Sequence, residues 1–183
     1  MIDVLKGEFF WGIVIGLLVS FFGGVVLAKF TILLTQRHQK KTVREFCIDV
    51  ITNLQEIIKE LDDTRDRAKA IHHDFLGLIE VEITVYGRNR EHIILLDKSV
   101  RDAVRKFMND CAIQRAQVVN KLDQFYRLDA LANQIQAEGR GPEAERMRQG
   151  ALIPLDEANK ATDKLIRIAE GAKDLLVSIQ GSK

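Results

Sequence analysis

Residues 9–34 read FFWGIVIGLLVSFFGGVVLAKFTILL, and this stretch decides how the rest of the chain is arranged. It contains no charged residue from position 9 to position 28. A helix of that length rises about 30 Å, which matches the thickness of the hydrocarbon layer of a bilayer. The sequence therefore predicts a transmembrane helix at 9–34, preceded by a short extracytoplasmic segment at 1–8.

Small residues recur at every fourth position of this stretch. On a helix this spacing forms one slowly drifting stripe, along which a second backbone can approach closely. The five positions are Gly12, Gly16, Ser20, Gly24 and Ala28. We therefore expect the segment to pack against another membrane helix, which can belong to a second copy of the chain or to a different protein.

Positively charged residues are concentrated after this stretch, whereas Lys6 is the only one before it. Because the cytoplasmic flanks of membrane helices carry the excess of lysine and arginine, we expect the N-terminus outside and residues 35–183 in the cytosol. The expected location is the inner (plasma) membrane of a bacterium. The predicted interface anchors, with membrane lipid as their partner, are Trp11 on the outer side and Lys29, Arg37, Lys40, Lys41 and Arg44 on the inner side.

Residues 43–78 carry apolar side chains at alternating intervals of four and three, which is the heptad spacing of a coiled-coil helix. Two further stretches have the same spacing. Gly and Pro residues at 139–142, and again at 150 and 154, are expected to interrupt them. The pattern predicts helices at about 36–78, 98–138 and 155–180.

Residues 79–96 have a different pattern. Apolar, mostly β-branched residues alternate with polar ones at 79–86, a turn-like segment follows at 87–90, and a second apolar run occupies 92–96. A short β-hairpin is the favoured interpretation. The alternative is a helix that reaches Tyr86 and ends in a loop, because an alternation over so few residues does not decide between them.

Three long helices with one apolar face each must bury those faces against one another. Short connections favour antiparallel neighbours. The predicted fold is therefore mainly α-helical: an elongated, antiparallel, three-helix coiled-coil-like bundle that follows the membrane helix. The apolar faces could instead be completed by a second copy of the chain.

Few residues have the spacing that catalysis or metal binding requires. Phosphate-loop, dinucleotide-binding, nucleophile-elbow and metalloprotease motifs are missing from the sequence, and we expect neither an enzyme nor a cofactor. His72 and His73 would point about 100° apart on a helix, which does not favour the binding of one metal ion by both.

The net charge of +1 gives no indication of nucleic-acid binding. Arg88, Asn89 and Arg90 concentrate hydrogen-bond donors and are the candidates for contact with an anion or a partner.

Two functions fit these features. The first is a non-enzymatic, single-span anchor or scaffold, or an accessory subunit of a larger membrane complex, with the helices as a cytosolic stalk. Its partners would be a second copy, another transmembrane protein, or both. The second is a membrane effector or sensor of a bacterial or phage conflict system, whose helices assemble into a pore or a switch.

In organisation alone, the chain resembles the peripheral-stalk b subunit of rotary ATP synthases. The shared features are an outward N-terminus, one membrane span and long cytosolic helices. No sequence motif is shared, and this chain is expected to fold back where that family continues. The function of that family is therefore not transferred to this chain.

Overall fold

The computed structural model describes the backbone of residues 2–68, 71 and 73–181, and the side chains of residues 24–65, 71 and 73–181. The described residues form four α-helices and one short 3₁₀ helix. These are α1 (Ile2–Ala68), α2 (His73–Asn89), the 3₁₀ helix (His92–Leu95), α3 (Lys98–Ala137) and α4 (Gly141–Gly181). The predicted, mainly α-helical fold is confirmed. The chain divides into two units, Met1–Thr42 and Val43–Lys183.

The first unit is the N-terminal part of α1. Its described side chains from residue 24 to residue 39 are all exposed. Among the residues that the structure describes, no helix has a stretch long and apolar enough to cross a bilayer. The side chains of residues 9–23, which belong to the predicted membrane segment, lie outside the described part of the chain; they include Trp11, Gly12, Gly16 and Ser20.

The second unit is a helical bundle in which α1 and α4 are neighbours. Gln55 of α1 donates a hydrogen bond to the backbone carbonyl of Ala169 in α4 at 2.7 Å. Further along α1, Arg65 pairs with Asp163 of α4 at 2.6 Å. Because the residue numbers rise along α1 while they fall along α4, the two helices are antiparallel.

α3 and α4 form a long antiparallel hairpin. Lys121 pairs with Glu157 at 2.6 Å, and Arg148 donates to the side-chain oxygen of Asn133 at 3.1 Å. The residue numbers again rise in one helix and fall in the other. The range of α3 agrees with the helix predicted at 98–138.

The loop of this hairpin is short because α3 ends in a Schellman motif. Gly139 has φ = 81°, a left-handed conformation that glycine adopts without steric cost. The Arg140 N–H donates to the carbonyl of Ile135 at 3.2 Å, and the Gly139 N–H donates to that of Gln136 at 3.0 Å. These two bonds satisfy carbonyls that the helix end would otherwise leave unpaired.

α2 is a fourth helix of the bundle, whereas the sequence pattern predicts three. Asn53 of α1 donates to Glu82 of α2 at 3.3 Å. On the other side of α2, Arg115 of α3 donates to the carbonyl of Leu76 at 3.1 Å and pairs with Glu80. α2 therefore lies against both α1 and α3, and with short connections the order is that of an up-down-up-down bundle.

The β-hairpin predicted near 79–96 is wrong, because residues 79–89 belong to α2. Leu76, Ile79 and Tyr86 are buried and Ile83 is half-buried, which is the spacing of one helix face. Val81, which the alternating pattern would place on the same face as Ile79, is 56% exposed. The bundle offers a groove that fits the helical stripe, and tertiary burial overrides the β-propensity of the branched residues.

The helix predicted at about 36–78 also ends earlier than predicted, at Ala68. Ile71 lies outside the described helices, yet its side chain is only 4% exposed. Leu76 and Ile79 of α2 join the same core as Leu61 of α1. Because α1 ends at Ala68, the apolar faces of α1 and α2 can both be buried in that core.

The expected interruption of the last helix does not occur, because α4 is continuous from Gly141 to Gly181. Pro142 follows the first residue of α4, where the missing N–H of proline costs no hydrogen bond. Pro154 lies inside the helix and is buried. It cannot donate to the carbonyl of Gly150, and burial of its ring offsets part of that loss.

The continuous core reaches Leu122 in α3 and starts again at Ala158 in α4, with Leu155 packed against it. Beyond these residues the buried side chains of the hairpin are those of three alanines and one proline. They are Ala132, Ala144, Ala151 and Pro154. We call residues 127–154 the distal hairpin.

Candidate functional site

The N-terminal unit exposes large apolar side chains on all sides of α1. Adjacent positions on a helix point about 100° apart, so runs such as 25–27 and 32–34 cover the whole circumference. The exposed residues are Val25, Val26, Leu27, Phe30, Ile32, Leu33 and Leu34, with exposed fractions of 39–66%. A helix that is apolar all round is typical of a protein interior or a membrane.

Polar groups in this apolar segment are satisfied within the helix. The Thr31 hydroxyl donates to the carbonyl of Leu27 at 2.9 Å, and the Thr35 hydroxyl donates to that of Thr31 at 2.9 Å. Such bonds to the preceding turn leave no free hydroxyl donor on the helix surface. The segment therefore presents an almost purely apolar surface, with Lys29 as the charged exception before residue 37.

Two members of the predicted small-residue stripe are described, and both are exposed. A Cβ atom added at Gly24 would meet no atom within 4 Å, and Ala28 is also free of cover. Packing within the chain therefore does not require small side chains at these positions. The basic residues that follow are exposed at Arg37 and Lys41 and half-buried at Lys40 and Arg44.

A separate cavity of about 620 Å³ lies in the second unit, between the end of α2, the 90–96 connection and α3. Its apolar lining comes from Ile83, Ile94, Met108 and Ala112, and its charged and polar lining comes from Tyr86, Arg90, Glu91, Arg105 and Asn109. A volume of this size is typical of small-molecule sites. The combination of an apolar wall and convergent polar groups makes this cavity the candidate binding site.

Tyr86 is the most constrained residue of the cavity. Only 8% of its surface is exposed, and its buried hydroxyl has no hydrogen-bond partner in the structure. Burial raises the pKa of Tyr86, Cys47 adds to the rise, and Arg105 and Arg90 oppose it. The phenol is therefore neutral at physiological pH and keeps its O–H group. Its lack of a partner is unusual, because most buried hydroxyl groups are hydrogen-bonded.

The structure separates the three residues that the sequence singled out. Arg88 is exposed in the last turn of α2. Asn89 donates to the carbonyl of Val85 at 2.9 Å, one turn back in the same helix. Arg90 lines the cavity. Sequence reasoning missed Tyr86, which lies about one helical turn before Arg90, and Arg105, which α3 brings to the same cavity.

The two cysteines have no chemical role that the geometry supports. Cys47 and Cys111 are free thiols in the core. Burial raises the pKa of Cys47 to about 11, and burial together with Asp110 raises that of Cys111 to about 12. Because the thiolate is the reactive form, both side chains are unreactive in the folded protein.

In the part of the chain that the structure describes, no group of three or more His, Cys, Asp or Glu residues could hold a metal ion. His72 lies outside this part, and His73 is exposed, with its ring 5.6 Å from that of Tyr126. Neither a protein-family model, nor a curated protein, nor a solved structure matches this chain.

Proposed function

We propose that the chain is a non-enzymatic, single-span membrane protein that anchors a cytosolic helical bundle and serves as a scaffold or accessory subunit of a membrane complex. The observation that carries the proposal is the ring of exposed apolar side chains at residues 25–34. Burial of one such side chain contributes about 1.5–3 kcal/mol, so leaving seven in water forgoes on the order of 10 kcal/mol. A lipid environment restores this contribution.

The neighbouring sequence supports the same proposal. Residues 9–23 are uncharged and extend the apolar sequence to the length that a bilayer requires. The basic residues that follow favour a cytosolic location for the second unit. α1 supplies both the apolar segment and one helix of the bundle, so a single helix connects the anchor to the folded domain.

Membrane fractionation of the full chain tests the anchor. We expect the protein in the membrane pellet, resistant to alkaline carbonate and released by detergent. The double variant Leu17→Arg/Leu18→Arg should shift the protein to the soluble fraction, because each arginine at the bilayer centre costs about 2.5–3.5 kcal/mol. The control Leu17→Ile/Leu18→Ile should remain in the pellet. Carbonate extraction of the unaltered chain would contradict the proposal.

A reporter fused after Lys183 tests the orientation. A fluorescent protein that matures only in the cytosol should be bright, and a phosphatase that is active only outside the cytosol should be inactive. The reverse result would place the bundle outside the cytosol.

Purification in mild detergent distinguishes the scaffold from the membrane effector. A stoichiometric complex of constant composition favours the scaffold. A ring with an open lumen, together with leakage of dye from vesicles, favours the membrane effector.

A further inference from the structure

We propose that the cavity between α2 and α3 is a binding site for a phosphate group attached to an apolar moiety, held by Arg90 and Arg105. The inference begins with two guanidinium groups in the lining. Arg90 comes from the connection after α2, and Arg105 comes from α3. Both lie close enough to Tyr86 to oppose the rise of its pKa, so their charges act on the same part of the cavity wall.

The charges of the lining favour an anion. Two guanidinium groups, from Arg90 and Arg105, face one carboxylate, from Glu91. Arginine binds phosphate oxygens in a forked geometry and keeps its charge at all physiological pH values. Asn109 adds an amide donor from α3. These donors come from α3 and from the connection that precedes it, and the terminal oxygens of a phosphate group can accept from all of them.

The apolar side of the cavity indicates the rest of the ligand. Ile83 and Ala112 form part of the wall and are half-buried, and Ile94 is 66% exposed at its edge. An inorganic anion would leave the exposed parts of these groups in water, while an alkyl or acyl part would cover them. The ligand is therefore an amphiphilic phosphate, which could be the headgroup region of an anionic phospholipid or a free phosphate monoester.

The two sources differ in whether they require a membrane. Only the lipid source depends on the proposed membrane function. A failure of the anchor in fractionation would leave the binding of a free phosphate monoester open to the same measurement.

The test uses the full chain in glycoside detergent, which contains no phosphorus, and follows the probes by phosphorus NMR. Hexyl phosphate and dihexanoyl phosphatidylglycerol represent the free monoester and the lipid. We expect saturable binding of at least one of them and weaker binding of inorganic phosphate. The probe that binds more tightly identifies the source. Absence of saturable binding of both amphiphiles would overturn the proposal.

Variants assign the binding to the cavity. Arg90→Gln and Arg105→Gln should each weaken binding about tenfold, since each removes a charge-assisted hydrogen bond. The matched control is Arg88→Gln, which removes the same charge from the exposed end of α2 and should bind as the unaltered chain does. Equal binding by the Arg88 and Arg105 variants would contradict the site, provided that circular dichroism shows both to be folded.

One further variant should act in the opposite direction. Glu91→Gln should tighten binding, because it removes the carboxylate that opposes an anion. A loss of binding in Glu91→Gln would indicate that a cation is preferred, and would overturn the proposal.

Discussion

The side-chain amide of Gln55 and the backbone carbonyl of Ala169 are joined by a hydrogen bond of 2.7 Å that fixes the register of α1 against α4. The bond is partly buried, and Gln55 is half-exposed. Gln55→Ala should therefore lower the free energy of unfolding by about 1 kcal/mol. Urea unfolding measures this change, and the exposed neighbour Glu56→Ala should change it by less than about 0.5 kcal/mol. Equal effects of the two would exclude a role for the bond.

Substitutions in α2 distinguish the observed helix from the predicted hairpin. Ile79 is fully buried and Val81 is 56% exposed, whereas a strand would place both on one face. Ile79→Ala should cost about 2–5 kcal/mol of stability, and Val81→Ala less than about 0.5 kcal/mol. Denaturant unfolding of the two variants, side by side, makes the comparison. Similar costs at both positions would argue for a strand.

Replacement of the proline inside α4 should stabilise the protein. Pro154→Ala restores a backbone donor for the carbonyl of Gly150 and removes the helix penalty of proline, a gain of about 3 kcal/mol. The loss of two buried methylene groups offsets about 1.6 kcal/mol of this gain. The midpoint of thermal unfolding should therefore rise. Pro142→Ala is the control, and it should leave the midpoint nearly unchanged or lower it, since proline is favourable in the first helical turn.

The predicted small-residue stripe can be tested without disturbing the fold of one chain. A side chain at Gly24 would meet open space, so Gly24→Ile, combined with Gly16→Ile, should disperse a membrane assembly while insertion is retained. Mass measurement in mild detergent reads the assembly state. Val26→Phe adds bulk on another face of the helix and should leave the assembly intact. An unchanged assembly in the double glycine variant would remove the role assigned to the stripe.

Because the two thiols are buried, we expect the free energy of unfolding to fall at high pH. The pKa values of Cys47 and Cys111 rise from an ordinary 9.0 to about 11 and about 12. The folded state thus holds these protons more tightly than the unfolded state. Their contribution is complete below pH 9.0 and is lost as the pH rises through the folded values. In the Cys47→Ala/Cys111→Ala variant, the dependence of unfolding free energy on pH above 9.0 should be weaker.

The sequence predicts the helices where apolar spacing and end signals agree. α3 follows its heptad pattern and ends at the glycine that adopts a positive φ. The prediction fails at α2, because a stretch of branched residues satisfies both an alternating and a helical pattern. Packing against the neighbouring helices decides that α2 buries the helical face formed by Leu76, Ile79 and Tyr86. It fails again at Pro154, because burial of a ring in the core is a tertiary effect.

The candidate site was accessible to sequence reasoning only in part. Arg90 stands out because it lies in a short run of donors after a glycine. Arg105 and Tyr86 carry no local signal, since packing of α2 on α3 creates their proximity. Once the helical register is known, Tyr86 is recognisable as a core position with a polar tip.

The alanine contacts of the distal hairpin have a consequence for how the protein opens. Methyl groups at Ala132, Ala144 and Ala151 bury little apolar area, so the tip of the hairpin has a lower local unfolding free energy than the four-helix region. Its amide protons should exchange with solvent first, and limited trypsin digestion should cut at Arg140 while the rest of the bundle stays folded. If the tip opens first in these measurements, it can rearrange on contact with another molecule without loss of the core that supports it.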